Sequence, residues 1–118
     1  MNIGETHNWM KKILHQGNLG TLVEEYEIDL MDSGPKIPIL VIEWYVKWPR
    51  LDFFSRQFVT FVDAKLLSDS LLKRLDNERG KKEVHGLVIY GGMIAESLND
   101  EVAKYPEIQL LSNEELIL

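Results

Sequence analysis

The chain contains no cysteine. That excludes disulfides, thiolate metal sites such as zinc ribbons, and a cysteine nucleophile. Histidine is scarce: His7, His15 and His85 stand far apart, without the paired spacing of a histidine-rich metal centre. Positive charge is in deficit. Thirteen Lys and Arg against nineteen Asp and Glu leave a net charge of −6, which argues against a broad basic surface for nucleic acid. A local basic strip is still available, because Lys47, Arg50 and Arg56 fall close together; their plainer reading is a solvated surface. No apolar run is long enough to span a bilayer. The opening "MNIGETHNWMKK" lacks the basic-then-apolar layout of a signal peptide. These features point to a cytoplasmic chain with no membrane partner. Internal repeats, a P-loop and a dinucleotide fingerprint are also missing from the sequence.

What is there suits one α/β domain over residues 1–118. The chain is 45% apolar, enough for a core, and 27% charged. A helix is expected near 5–16, capped by Thr6, with Trp9, Ile13 and Leu14 as its apolar stripe. Residues 21–31 alternate: Tyr26, Ile28 and Leu30 face one way, Glu25, Glu27 and Asp29 the other. "DSGPK" at 32–36 reads as a turn. Residues 37–47 form the next strand, with Leu40, Ile42, Trp44 and Val46 opposite Ile39, Val41, Glu43, Tyr45 and Lys47. The two strands pair as an antiparallel hairpin.

A helical region is expected over 51–77, from the spacing of Phe54, Phe58, Phe61, Leu67, Leu71 and Leu75, with a break at "SDS". A charged loop follows at 76–82. "VHGLVIYGG", 84–92, reads as a strand buried on both faces. A helix over 93–105 and a short strand "EIQLL" follow it; "SNEELIL" closes with a capping-box turn. An extra strand has room within 18–25. The sum is a mixed β-sheet with helices on both faces, antiparallel at its start and parallel through a right-handed crossover at its end.

The carboxylates on the first two strands need a reason. Edge strands carry charge to resist aggregation; hard cations also want carboxylate oxygens, with a lysine nearby to hold the attacking water. If the loop closes symmetrically, Asp29 falls opposite Ile39, about 13 Å along the strand from Glu43. A shared site then needs a bulge or an asymmetric loop.

"YEIDLM", "DSGPKIP" and "ILVIEWYVKW" together resemble the core of the PD-(D/E)xK, or restriction-endonuclease-like, nuclease superfamily. In that family an Asp near one strand end is followed by Glu-x-Lys on the next. Asp29 matches the first and Glu43 the second, but Tyr45 stands where the family has lysine, and Lys47 arrives two residues late. The tail "VHGLVIYGGMIAESLNDEVAKYPEIQLLSNEEL" is similar to the Mrr-like branch. The resemblance implies an αβββαβ core with an extra αβ and a Mg²⁺- or Mn²⁺-dependent nuclease acting on DNA. Asp29 and Glu43 would bind the metal, Lys47 would serve as the catalytic lysine and Tyr45 would line the site. It also implies Glu5 as a further ligand from the first helix. One competing expectation is a catalytically inactive member of the same fold, acting through a protein partner or as a homodimer; another is an unrelated α/β domain.

Lesser candidates have bland readings beside them. "YGGM" is a strand-to-helix turn before it is an anion site. His85 shows no partner in sequence. Ser55 and Ser97 lack a nucleophile elbow. Trp44 reads as core, while Trp48 could stack on a base.

Overall fold

The structure is a computed structural model that describes residues 3–15, 20–29, 36–44, 56–91 and 96–112. Its centre is a five-stranded mixed sheet in the order β1-β2-β3-β4-β5, formed by Gly20–Asp29, Lys36–Trp44, Arg56–Asp63, His85–Gly91 and Ile108–Ser112. β1 pairs antiparallel with β2 and β2 with β3; β3 pairs parallel with β4 and β4 with β5. Helix α1, Ile3–His15, covers one face, where Met10 and Leu14 meet Leu40, Ile42, Val59 and Phe61. Helices α2, Asp69–Lys82, and α3, Glu96–Val102, cover the other. Each β-α-β step moves one strand in the same direction, so a constant crossover hand puts both helices on one face.

The expected first strand runs Gly20–Asp29 and includes the residues given to an extra strand at 18–25. It carries one register slip between Leu22 and Glu24, a bulge that leaves Val23 exposed. Gly20 permits close approach at its start: a Cβ there would stand 2.7 Å from the Glu43 carbonyl. Thr6, expected as a cap, instead lies fully buried inside α1.

The helical expectation for 51–77 is overturned over 56–63 and holds from Asp69 on, while 51–55 lie outside the described residues. Residues 56–63 form β3, in the middle of the sheet. Phe58 and Val62 pack on the α2 side and Val59 and Phe61 on the α1 side. A strand buried on both faces has no polar alternation, and its aromatic spacing mimics a helix. The helix proper starts where "SDS" stands: Ser68 caps α2, its hydroxyl accepting from the Leu71 N–H at 3.2 Å. It runs through the expected loop 76–82. Ion pairs Arg74–Glu78, Asp76–Arg79 and Glu78–Lys81 recur along it at helical spacing. Glu83 ends it in the left-handed region, φ 56°.

Two polar latches fasten β1 to the helices. On the α2 side, Lys82 Nζ donates to both oxygens of Glu24, at 2.9 and 3.0 Å, and lies 4.8 Å from the Tyr26 ring centroid. Burial pushes the Tyr26 phenol up to about 12. On the α1 side, Lys11 Nζ donates to Glu25 at 2.9 Å, and this bond holds the Glu25 carboxyl below its ordinary value. His7 stands edge-on to Phe61, ring centroids 5.5 Å apart, with Nε2 3.8 Å from Glu25. Burial lowers the His7 pKa although Glu25 opposes the shift, so at neutral pH this contact is not an ion pair.

Two outcomes follow. Ile89 is fully buried, so Ile89→Ala should cost about 2–5 kcal/mol, whereas Val23→Ala should change stability by less than about 0.5 kcal/mol; urea unfolding measures both. The unfolded chain protonates His7 near 6.5, and the folded chain only at lower pH. The unfolded state therefore binds more protons in that interval, and stability falls as pH falls below about 6.5. His7→Phe should flatten that part of a Tm-against-pH profile; an unchanged slope would place the acid sensitivity elsewhere.

Candidate functional site

The β1–β2 register decides the fate of the expected metal pair. Asp29 pairs with Lys36, the first residue of β2, and Glu43 with Thr21, near the start of β1. Seven positions of β2 separate the two levels, about 23 Å at the usual rise. The faces differ as well. Ile28 and Ile37 are partners on the α2 side, which turns Asp29 and Lys36 to the α1 side. Glu43 alternates with Ile39 and Val41 and so lies on the α2 side.

The acidic face of β1 is thus continuous with the apolar face of β2, and Asp29 and Glu43 cannot share an ion. The closure is asymmetric in the direction that parts them. Glu43 instead accepts from Arg56 Nε at 3.2 Å, across the β2–β3 pair. Both side chains are about half exposed, so this ion pair contributes little. Tyr45, Lys47, Trp48, Arg50 and Ser55 lie outside the described residues, as do "GMIA" and "NEELIL".

A different set of residues comes together where β1 and β3 end. The β2–β3 ladder runs only from Glu43↔Arg56 to Leu40↔Val59. Beyond it stands Pro38, which has no N–H to donate. Its carbonyl accepts from the buried Thr60 hydroxyl at 2.6 Å. β3 stays paired with β4 to its end, Asp63↔Gly91. The sheet forks at this point, with Lys36 on one prong and Asp63 on the other.

Lys36, which pairs with Asp29, opens β2 at the end of the sheet where Asp63 closes the antiparallel β3. Alternation from Phe61 turns Asp63 to the α1 side. Asp29 and Asp63 lie on β1 and β3, with β2 and the end of its ladder to β3 between them. All three side chains are exposed, as is Lys65. One Asp63 oxygen accepts from the Lys65 N–H at 3.0 Å, capping the 3₁₀ turn Ala64–Leu66.

Helix α1 brings its N-terminus toward the same end. Lys11 is level with Glu25 and His7 with Phe61, so the helix runs antiparallel to β3 and its first turn, with Glu5, points this way. The positive end of a helix dipole favours anions there. Outside the carboxyl ends of strands is also where open α/β sheets bind ligands.

Asp63-Ala64-Lys65 is a complete Asp-x-Lys triplet, which Glu43-Trp44-Tyr45 is not. Assigning 51–77 to helix hid it; its signal was a carboxylate ending the β-branched run "FVTFVD". Among the described residues no group of three or more His, Asp or Glu could hold a metal ion. Two carboxylates completed by water and substrate phosphate are the usual protein share of a magnesium site, and Asp29 with Asp63 offers that donor set.

At the opposite end of the parallel strands, His85 does have a partner: Nδ1 lies 2.8 Å from Glu107 Oε2. Both side chains are largely exposed. Ser97 is an exposed residue of α3. No helix among the described residues is long and apolar enough to cross a membrane. Compared with protein-family models, curated proteins and solved structures, the chain gives no match.

Proposed function

We propose that the chain is a divalent-metal-dependent phosphodiesterase of restriction-endonuclease-like architecture, acting on DNA from the fork between β2 and β3. What supports this reading is the Asp29↔Lys36 pair at the sheet end where the antiparallel β3 also finishes in Asp63, with Lys65 two residues on. The element order αβββαβ followed by αβ supports the architecture.

Asp29 and Asp63 would hold Mg²⁺ or Mn²⁺. When bound, the ion supplies Lewis-acid stabilisation of the charge that grows on the phosphate. Lys36, between the two carboxylates, attracts a phosphate oxygen and offsets their repulsion for a polyanion. Lys65 is a second exposed cation for the backbone, placed by the cap that Asp63 makes to its N–H. Local lysines of this kind let a chain of net charge −6 engage DNA. Glu43 has no part in this site.

The test is cleavage of plasmid and single-stranded DNA with Mg²⁺ or Mn²⁺. Asp29→Asn and Asp63→Asn should each slow the reaction by about 10²-fold or more. Glu43→Gln should cleave like the wild type. A loss in Glu43→Gln with full activity in Asp63→Asn would overturn the assignment. A wild-type chain that leaves DNA intact would favour a non-catalytic module acting through a protein partner or a second copy, and sedimentation would detect the latter.

A further inference from the structure

We infer that Thr60 is a positioning residue: its hydroxyl sets the opening of the β2–β3 fork and so the placement of Asp29 and Lys36 against Asp63. This deepens the phosphodiesterase reading and rests on it. Within a strand, the N–H and C=O of one residue point to the same neighbour. The Pro38 carbonyl faces β3, because Thr60 Oγ1 donates to it at 2.6 Å. The N–H that Pro38 lacks would have faced β3 too. In a regular ladder, Pro38 would oppose Phe61, taking a bond from its N–H and giving one to its carbonyl. The β2–β3 pairing stops at Leu40↔Val59, while β3 stays paired with β4 to Asp63↔Gly91.

One side-chain bond therefore stands in for the one ladder bond that Pro38 could accept, two residues along β2 from Lys36. Thr60 is fully buried, so no water can substitute for its hydroxyl. A valine of the same shape would leave the Pro38 carbonyl without that donor. The β2 prong, with Lys36 and its partner Asp29, would then be free to swing from Asp63. Displacements of about 1 Å in a positioned reacting group can cost about 10²-fold in rate. Closing the fork should do equal harm, and Pro38→Ala would allow it by restoring the missing donor.

The experiment is steady-state DNA cleavage in Mg²⁺ by the wild type, Thr60→Val, Thr60→Ser and Pro38→Ala, with melting by circular dichroism to confirm that each is folded. Thr60→Val should lower kcat by about 10²-fold and should need more Mg²⁺ for half-maximal rate. Thr60→Ser, which keeps the hydroxyl, should restore both. Pro38→Ala should also lower kcat while melting no earlier than the wild type, so the inference survives a test even if Thr60→Val fails to fold. Wild-type kcat and Mg²⁺ dependence in both Thr60→Val and Pro38→Ala would overturn the Thr60 role alone. No cleavage by the wild type would overturn the phosphodiesterase reading, and the Thr60 role with it.

Discussion

The burial of β3 on both faces is the constraint on which the rest of the structure depends. From Gln57 to Val62 every residue is buried, with Phe58 and Val62 on one side and Val59 and Phe61 on the other. Helices must therefore cover both faces of the sheet. The same strand changes the sheet's character: it is antiparallel to β2 and parallel to β4. It cannot follow both neighbours along its whole length, because β2 offers no N–H at Pro38. The ladder to β4 runs the length of β3, while the ladder to β2 stops at Val59. The fork is a consequence of sheet hydrogen bonding before it is a site.

Charge is arranged around that core in two ways. β1, an edge strand, carries Glu24, Glu25, Glu27 and Asp29. Glu24 and Glu25 are fastened to Lys82 and Lys11 and serve attachment of the helices. Asp29 lies at the end of the strand, paired with Lys36. A single alternating run of carboxylates thus splits into latches and one candidate ligand according to which element stands over each residue. Acidic residues along the strand also resist edge-to-edge pairing with other chains.

Much of the architecture was legible in the sequence. The alternation of Tyr26 and Ile28 against Glu25, Glu27 and Asp29 is realised, as is that of Leu40, Ile42 and Trp44 against Ile39, Val41 and Glu43. The doubly buried β4, the parallel β4–β5 pair and the antiparallel opening hairpin also stand as expected. Hairpin register was not legible. Each strand declares which residues share a face, but no local signal says which face of β1 continues which face of β2. That choice placed Asp29 and Glu43 apart. β3 was hidden for another reason: a short apolar run buried on both sides has the periodicity of neither a helix nor a half-buried strand. With β3 missing, Asp63-Ala64-Lys65 had no strand end to occupy, and the Asp-x-Lys triplet passed unnoticed.

The central claim is that one sheet end, and not the Glu43 region, forms the ion-binding surface. The most direct measurement is paramagnetic broadening of backbone amide NMR signals on titration with Mn²⁺. The amides of Asp29, Lys36 and Asp63 to Lys65 should broaden first. Broadening centred on Thr21, Glu43 and Arg56, or uniform broadening with no focus, would contradict it.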